Sequence, residues 1–541
     1  MSGLLYPNKD MMKATGKDYA ASGLWSHTDL AYIRHDPALM PFIAFPPVRN
    51  SFHDLIQSRR RFPIDRNLLW SALSKQYKAL GLEVPVTEEV LLSPDTFTVT
   101  TAHQPVLLTG PLYHIYKIAS TIHLSQTLSK PEYSIRCLPV FIIGGEDHDW
   151  AEVNHLHLFG RQYQWERPAS GSCGRLSLEG LDALVASVKE LFNSSNFAVQ
   201  VHQLLDDALA KASTYAQFHH LLLHGLFGAH GLIILNMDDA SLKRAFVPWM
   251  ERELQEQFSY QYVTPTQGEL EKAGFKPQAY CRPVNLFYMS EGSRERLEPN
   301  ADGYLRVDSQ IQYSKEAILK ELNEAPERFS PNVIMRPLYQ ECILPNLAYI
   351  GGGGELAYWI ERKSQFEAAG IHYPMLIRRN SLLLIDDSTT AQMEKAGLTL
   401  DDLLLDIDTL TKTYLIRNSH TDTDYQTELG WVKSAYAQLA EKAKPLDPTL
   451  ATAIEAEGAR QLKQFEQLGS RLLRAEKQLQ ETNLRKVQKI KEKLFPENSL
   501  QERHDNFLPF YARYGPQWIK DMIEVCDPLT EQFTLVELGT P

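Results

Sequence analysis

The chain has 541 residues, of which 43% are hydrophobic and 23% are charged. These fractions are ordinary for globular proteins and exclude a disordered or collagen-like chain. At about 150 residues per domain, the length predicts three or four structural units. The net charge of −12, from 55 Lys and Arg against 67 Asp and Glu, argues against a general attraction to the nucleic-acid backbone.

Neither the apolar runs nor the cysteines indicate a membrane or extracellular protein. No run approaches the roughly 18 apolar residues of a membrane-spanning helix, and the first ten residues lack a signal-peptide core. The five cysteines are scattered and never spaced as CxxC, which argues against a disulfide framework and a zinc site. We therefore expect a cytoplasmic protein with no permanent metal and with no membrane or nucleic-acid partner.

Short apolar strands alternate with helical segments in the first two thirds of the chain. The pattern predicts helices over about 67–80 and 111–128, and strands over 97–101, 137–143, 231–236 and 374–377. This alternation is typical of a parallel, doubly wound sheet, whose ligands lie beyond the carboxyl ends of the strands. The uneven spacing of the strands predicts insertions over about 155–205 and 260–330.

After about Asp387 the hydrophobic periodicity becomes helical. A helix over about 425–444 is followed, after two prolines, by a single long helix over about 447–494. The long helix carries an apolar seam of Leu462, Phe465, Leu468, Leu472, Ala475 and Leu479, which resumes after a small phase shift with Val487, Ile490 and Leu494. We expect an antiparallel hairpin whose seam is either a dimer contact or intrachain packing. The predicted domains are a core over 1–386, a helical domain over 387–500 and a C-terminal segment, 501–541, that returns to the core.

The first candidate binding segment joins the strand over 97–101 to the helix that starts near Pro111. It contains Gln104 and Gly110, and the free N–H groups of a helix start favour a phosphate or a carboxylate. Tyr113 and Lys117 are four residues apart and so share a helix face near that end. The alternative is an ordinary helix start with a solvated Lys117.

The second candidate segment, Glu146-Asp147-His148-Asp149, directly follows the apolar strand over 137–143. Clustered carboxylates repel one another, and such clusters often bind a cation, orient a nucleophile or accept a proton. The segment lacks the HExxH spacing of a helical metal site. Metal-free polar binding and transient magnesium bound with a nucleotide remain as alternatives.

The third candidate segment contains Asn332, Arg336 and Gln340, and then four consecutive glycines over 351–354. Glycines allow the backbone to approach a ligand closely, and the helix that follows, with Glu355 and Tyr358, again favours an anion at its start. The run matches neither the phosphate-loop nor the dinucleotide-binding pattern, so it identifies no nucleotide. A flexible turn is the alternative.

Together, four segments resemble one family, the bacillithiol biosynthesis cysteine-adding enzymes, also called BshC cysteine ligases. The segments are TAHQPVLLTGPLYHIYK (101–117), VFIIGGEDHDWAEVNH (140–155), FSPNVIMRPLYQECILPNLAYIGGGGELAYW (329–359) and VQKIKEKLFPENSLQERHDNFLPFY (487–511). They occur in the family's order. The sequence departs from the family pattern at Ala102-His103, so no role is given to His103, and at the glycine run, where the family commonly has a proline.

The resemblance implies an α/β fold: a Rossmann-like parallel-sheet core with inserted connecting segments plus an α-helical coiled-coil domain that mediates homodimerisation. It also implies the last step of bacillithiol biosynthesis, in which the carboxyl group of L-cysteine is joined to the amine of glucosaminyl-malate. Because amide formation needs an activated carboxyl group, we expect ATP or another nucleotide as cosubstrate. The alternatives are a nucleotide or sugar-phosphate binding protein and a nucleotidyltransferase that forms no amide.

The candidate residues fall into three groups. Those expected to act in catalysis are Glu146, Asp147, His148 and Asp149. Those expected to bind substrate are Gln104, Gly110, Tyr113, Lys117, Asn154, Asn332, Arg336, Gln340, Gly352, Gly354, Glu355 and Tyr358. A second, nucleotide-sized anion pocket is expected at the junction between domains, with contacts from Lys489, Lys491, Gln501, Arg503 and Asn506.

Overall fold

The computed structural model describes residues 12–418 and 425–540. It divides into two compact units, the first formed by residues up to Leu383 together with those from Leu500 onward, the second by Leu384–Ser499. The first unit therefore draws on both ends of the chain, and the second is inserted between them.

The described residues contain fifteen strands. In chain order, β1–β15 are Met12–Lys17, Thr96–His103, Arg136–Ile143, His155–Leu158, Arg161–Gln164, Ile233–Asn236, Leu286–Ser290, Ser293–Asn300, Gly303–Arg306, Gln312–Tyr313, Phe329–Pro331, Asn346–Gly351, Met375–Arg378, Leu382–Ile385 and Phe533–Leu538. They form a five-stranded parallel sheet, a five-stranded antiparallel sheet (β10-β9-β8-β7-β11), a three-stranded sheet (β1-β15-β14) and the hairpin β4-β5.

The same residues form twenty-two α-helices. In chain order, α1–α22 are His27–Ile33, Phe52–Arg59, Arg66–Ala79, Glu88–Leu92, Tyr113–Leu128, Trp150–Val153, Leu181–Glu190, Ala198–Lys211, Tyr215–Phe227, Ala240–Glu256, Phe258–Lys272, Lys315–Glu324, Arg336–Ile343, Gly353–Trp359, Lys363–Ala369, Asp387–Ala396, Ile407–Asn418, Gln426–Ala443, Pro448–Leu479, Glu481–Leu494, Leu508–Tyr514 and Pro516–Val525. Of these described helices, none is both long enough and apolar enough to cross a membrane.

The parallel sheet sets the position of the candidate site. Its strands lie in the order β13-β12-β2-β3-β6, and every neighbouring pair is parallel. The chain starts at β2 in the centre, adds β3 and β6 on one side, and then crosses to add β12 and β13 on the other. The direction of winding thus reverses between β2 and β12, and ligands of doubly wound sheets bind at the carboxyl ends of the strands beside such a reversal.

Apolar side chains cover both faces of this sheet. On one face Val99 of β2 belongs to the same buried cluster as Leu124 of α5. On the other face Val140 of β3 belongs to a larger cluster that includes Phe246 of α10. Strands buried on both faces consist of nearly continuous apolar residues, which is why the sequence alone predicts β3, β6 and β13. β2 is instead predicted by its β-branched and aromatic residues. The predicted α/β fold class is confirmed.

The predicted single helix over about 447–494 is wrong. The structure has two helices, because α19 ends at Leu479 and α20 begins at Glu481, with Gln480 outside helical geometry at φ −101° and ψ 14°. The break coincides with the phase shift in the apolar seam. A continuous helix cannot keep two seams of different phase on one face, so the chain interrupts the helix there.

Gly353 begins α14 at a point of close approach to α1. A β-carbon at Gly353 would lie 2.4 Å from the carboxyl group of Asp29, which is buried and accepts a hydrogen bond of 2.7 Å from Arg378 Nε. Because Asp29 is held by this pair, it cannot move aside freely. We expect Gly353→Ala to lower the free energy of unfolding by about 1–3 kcal/mol, measured by urea denaturation.

Gly354→Ala is the matched control for this substitution. A β-carbon at Gly354 meets no atom within 4 Å, and alanine favours a helix, so the control should be neutral or slightly stabilising. Equal losses of stability in the two variants would contradict the predicted steric clash.

Candidate functional site

A cleft of about 380 Å³ lies at the carboxyl ends of the parallel strands. Gln104 follows β2, Glu146 and Asp147 follow β3, and Glu355 lies in the first turn of the helix after β12. The antiparallel sheet lines the same cleft through Arg294 of β8. The sequence stretches on either side of the winding reversal are thus brought to one place.

Asp147 is held as a carboxylate at this cleft. Gln104 Nε2 donates to its Oδ2 (2.5 Å), the backbone N–H of His148 donates to its Oδ1 (2.7 Å), and Arg294 Nη1 lies 3.6 Å from Oδ1. Burial raises the pKa of Asp147, but Arg294 and the hydrogen bonds outweigh it, so the pKa lies below its usual range. An ionised carboxylate here can hold a cationic group.

Glu146 has a different environment, although it is the adjacent residue. It forms an ion pair with Lys243 of α10, and Ser330 Oγ donates to its Oε2 (3.1 Å). Lys243 also pairs with Asp238 (3.1 Å), which Arg175 holds through two hydrogen bonds of 2.6 and 2.7 Å. Burial raises the pKa of Glu146 and Lys243 opposes this only in part. A carboxyl group with raised proton affinity is suited to proton transfer.

Glu355, which lines the cleft, forms an ion pair with Lys117, which is buried behind it. Lys117 Nζ donates to both carboxylate oxygens of Glu355 (2.8 and 2.9 Å) and to the carbonyl oxygen of Ala102 (2.5 Å). Tyr349 OH donates to Glu355 Oε2 (2.8 Å). Burial raises the pKa of Glu355, but Lys117 outweighs burial and holds it below the usual range. The pair joins α5 to α14.

Arg336 provides a second cation at the cleft. Its Nη1 donates to Gln340 Oε1 (3.2 Å) and its Nη2 donates to Tyr358 OH (3.3 Å). Arg336 and Tyr358 both line the cleft. A guanidinium group that keeps further N–H donors can bind a carboxylate in a bidentate manner.

The structure brings many of the predicted site residues together. Those that line the cleft are Gln104, Glu146, Asp147, Asn332, Arg336, Glu355 and Tyr358. Lys117 and Gln340 lie directly behind them, in contact with Glu355 and Arg336. Within residues 12–418 and 425–540, no three His, Cys, Asp or Glu side chains are arranged to hold a metal ion.

Other predicted residues lie outside this lining. His148 and Asp149 are exposed, and His148 Nδ1 is 2.9 Å from Arg294 Nη1. Asn154 is buried after α6, where its Oδ1 is 3.3 Å from His155 Nδ1. Tyr113, Gly110, Gly352 and Gly354 lie at the starts of α5 and α14. The roles assigned to these residues from the sequence remain predictions.

The residues expected to bind a nucleotide are divided between the two units. Lys489 and Lys491 belong to the second unit, and Gln501, Arg503 and Asn506 to the first. Lys491 Nζ donates to the carbonyl oxygen of Leu403 (2.5 Å), and burial lowers its pKa to about 8. Asn506 Nδ2 donates to the carbonyl oxygens of Leu108 (2.8 Å) and Gly110 (2.7 Å). The nucleotide pocket remains a prediction.

Sequence reasoning missed two cations of the site. Arg294 lies on β8 of an insertion, stacks on Phe287 with 3.9 Å between its Cζ and the ring centroid, and belongs to no recognisable motif. Lys243 could have been found, because it lies in the first turn of the helix after β6. That is the same strand–loop–helix position that singled out the other segments.

Family models cover nearly the whole chain. The model described as "Bacillithiol biosynthesis BshC, N-terminal Rossmann-like domain" matches residues 12–380, and "Bacillithiol biosynthesis BshC, C-terminal coiled-coil domain" matches residues 382–538. The chain belongs to the BshC family. This confirms the resemblance inferred from the four segments, together with the Rossmann-like core and the coiled-coil domain.

Relatives match over almost their entire length. A protein of Flavobacterium johnsoniae is 36% identical over 524 residues, which cover 96% of this chain and 99% of the relative. Proteins of Flavobacterium psychrophilum and Christiangramia forsetii are 35% and 33% identical over 530 residues, with 96% of this chain and 98% of each relative covered. All three carry the name "Putative cysteine ligase BshC".

Three histidines cluster at the cleft: His103, at the end of β2, is half-buried and lines it, and the buried His114 of α5 and His219 of α9 lie behind His103. The ring centroids of His103 and His114 are 4.9 Å apart, and those of His114 and His219 are 5.2 Å apart. Burial lowers the pKa of His103 to about 4 and that of His219 to about 3, and it holds the pKa of His114 well below its usual range. The cluster is therefore neutral at physiological pH.

This neutral cluster predicts sensitivity to acid. Each histidine has a lower pKa in the folded than in the unfolded state, so its contribution to stability is complete above about pH 6.5 and is lost as the pH falls towards 4. We expect the urea midpoint to fall between pH 7 and pH 4.5. His114→Phe, which can keep the stacking on Phe141 (5.1 Å between ring centroids), should make that fall shallower.

His27→Phe is the control, because His27 also stacks on a phenylalanine, Phe275, but is exposed. It should leave the pH dependence of the midpoint unchanged. An unaltered slope in His114→Phe would show that the buried histidines do not limit stability in acid.

Proposed function

We propose that this chain is a ligase that joins the carboxyl group of L-cysteine to the amine of glucosaminyl-malate, as the last step of bacillithiol biosynthesis. The observation that carries the proposal is that charges of both signs line one cleft, Arg336 and Arg294 together with Asp147 and Glu146. Glucosaminyl-malate carries both the malyl carboxylates and the reacting amine, so a cleft with both signs of charge suits it. The proposal includes a cytoplasmic location, where thiols stay reduced.

Arg336 is proposed to hold the malyl part of glucosaminyl-malate. Malate carries two carboxylates, and the planar guanidinium group matches a carboxylate with two parallel hydrogen bonds. Tyr358 OH and Gln340 Oε1 fix the guanidinium from the other side. Asn332, at the same wall, offers an amide for the hydroxyl groups of the sugar.

The two acidic residues after β3 are proposed to act on the amine. An amine is protonated at neutral pH and must lose a proton before its lone pair can attack a carbonyl carbon. Asp147, held ionised by Arg294, attracts the ammonium group, and Glu146, whose pKa burial raises, accepts the proton. The N–C bond then forms as the bond from the cysteinyl carbon to the leaving group breaks. The second proton, which the new amide nitrogen must still lose, passes to the departing group or to water.

A free carboxylate is not an acceptor for this attack, because its leaving group would be an oxide. ATP or another nucleotide is therefore proposed to convert the cysteine carboxyl into an acyl-adenylate or an acyl-phosphate, with transient magnesium on the phosphates. Doubly wound sheets often bind nucleotides at the carboxyl ends of their strands, which supports this part of the proposal.

The direct test is turnover by the purified chain with L-cysteine, glucosaminyl-malate and ATP, with the thiol product measured by mass spectrometry. Asp147→Asn should lower the turnover about 100-fold because the neutral amide no longer attracts the ammonium group. Asp207→Asn, at an exposed carboxylate of α8, is the matched control and should keep parental turnover.

Two outcomes would reject the ligase. If the parent protein forms no product with L-cysteine, glucosaminyl-malate and any nucleotide tested, only a binding role is left. Exchange of labelled pyrophosphate into ATP that needs neither cysteine nor glucosaminyl-malate would instead indicate a nucleotidyltransferase. Equal turnover of Asp147→Asn and the parent would remove Asp147 from the mechanism.

Homodimerisation through the helical unit is a further part of the proposal. Within that unit α18 and α19 pack as an antiparallel pair, because Tyr436 lies over Gly458 and Tyr425 lies over Gly469. Leu468 and Leu472 of α19 nevertheless remain 52% and 50% exposed. Apolar residues left exposed along a seam support a partner helix that covers them.

Leu468→Glu combined with Leu472→Glu should therefore convert a dimer into a monomer, because the charges would be buried in the contact. Sedimentation velocity measures the result. Leu191→Glu, at a partly exposed leucine after α7, is the control and should leave the dimer intact. An unchanged sedimentation coefficient in the double variant would assign the seam a role other than dimerisation.

A further inference from the structure

The orientation of Arg336 depends on a chain of hydrogen bonds that leads away from the cleft into the parallel sheet. Arg336 Nη1 donates to Gln340 Oε1 (3.2 Å), and Gln340 Nε2 donates to Glu341 Oε1 (2.7 Å). Asn346 Nδ2 donates to the same Glu341 oxygen (2.8 Å). Asn346 Oδ1 in turn accepts from Thr100 Oγ1 (2.8 Å) on β2. Glu341 is the point on which the donors from both directions converge.

This convergence fixes which way each amide group faces. If the Gln340 amide were turned over, its oxygen would face the acceptor oxygen of Glu341 and its NH₂ group would face the N–H of Arg336. Both contacts would be repulsive, so only one orientation satisfies both neighbours. The carboxylate acceptor of Glu341 thereby determines that Gln340 offers an oxygen to Arg336.

Glu341 is isolated from solvent and does not line the cleft. Its exposed fraction is 2%, and Gln340 and Asn346 are fully buried. Burial raises the pKa of Glu341 to about 7, opposed by the hydrogen bonds from Asn346 and Gln340 and by the charges of Arg59 and Arg336. An ionisable group in such a place is costly, and an apolar residue of the same volume would avoid the cost. Its position at the end of the chain to Arg336 gives it a use.

We propose that Glu341 is a positioning residue for Arg336: by accepting from Gln340 Nε2, it holds the Gln340 amide in the orientation that keeps the guanidinium directed at a substrate carboxylate. Glu341 touches no substrate and acts through Gln340. The identity of the carboxylate rests on the proposed function, whereas the orienting contacts do not.

Two substitutions at residue 341 separate this role from simple packing. In Glu341→Gln, the side-chain oxygen can still accept from Gln340 and Asn346, so the orientation of Gln340 is kept. Glu341→Leu removes the acceptor while keeping a similar volume. We expect Leu to weaken the binding of glucosaminyl-malate and of the simpler probe L-malate about tenfold, because the guanidinium is displaced, and Gln to weaken it by no more than about twofold. Isothermal titration calorimetry measures both dissociation constants without any need for turnover.

The decisive measurement is a double-substitution cycle with Arg336→Met. If Glu341 acts through Arg336, Glu341→Leu should cause no further loss of malate affinity once the guanidinium is absent. Gln340→Met, which interrupts the chain at its middle, should reproduce the effect of Glu341→Leu and carries the test if that variant does not fold. A loss of affinity from Glu341→Leu that is equal in the parent protein and in the Arg336→Met variant would overturn the proposal, as would equal losses in the Gln and Leu variants.

The experiment distinguishes this inference from the proposed reaction. A parent protein that binds L-malate with the expected dependence on residues 341 and 336 but forms no thiol product would reject the ligase and keep the positioning role. If the parent protein forms product and Glu341→Leu has the same KM for glucosaminyl-malate as the parent, the ligase is kept and the positioning role is rejected. Absence of binding of either compound to the parent protein would overturn the inference.

Discussion

Lys117 places an ammonium group where no solvent reaches it, and the structure compensates this charge with both oxygens of Glu355. Desolvating two charges is costly, so the pair is stable only because further groups satisfy what remains, namely the carbonyl oxygen of Ala102 and the hydroxyl of Tyr349. The pair connects the helix after β2 to the helix after β12. These are the two helices on either side of the winding reversal. Together with the pairing of β2 and β12 in the sheet, this contact fixes Gln104 relative to the glycine run.

A second consequence of burial is that neighbouring carboxyl groups acquire different properties. Glu146 and Asp147 are adjacent in sequence and have similar reference pKa values, yet their pKa values shift in opposite directions. Asp147 is approached by Arg294, by the side-chain amide of Gln104 and by the backbone N–H of His148. Glu146 is buried more deeply and shares Lys243 with Asp238. Two carboxyl groups separated in this way can divide binding of a cation and acceptance of a proton between them. Environment, more than residue type, determines which residue has which role.

The sequence predicts the parts of this protein that depend on local pattern. A β-branched and aromatic run reveals β2, and a continuous apolar run reveals β3. The adjacency of Gln104 and Asp147 follows because each residue comes at the carboxyl end of a neighbouring strand. Arg294 could not be predicted in this way, because its contact with Asp147 joins residues far apart in the chain through an inserted antiparallel sheet. The same holds for Glu341, whose importance depends on the side-chain amides of Gln340 and Asn346 rather than on any spacing. The break at Gln480 is predictable only in part. The phase shift is visible in the sequence, but only the backbone structure shows that the chain forms two helices there.

The division of the chain has a consequence for its synthesis. β1, at Met12–Lys17, pairs in antiparallel register with β15, at Phe533–Leu538. At a translation rate of about 5–20 residues per second, β1 waits roughly half a minute to two minutes for the segment that completes it. Throughout this time the ribosome-bound chain has an N-terminal segment without its final partner, while the helical unit in between is made. Completion of the first unit is therefore a late event, and a ribosome that stalls anywhere in the helical region releases a chain whose sheet domain lacks its C-terminal portion.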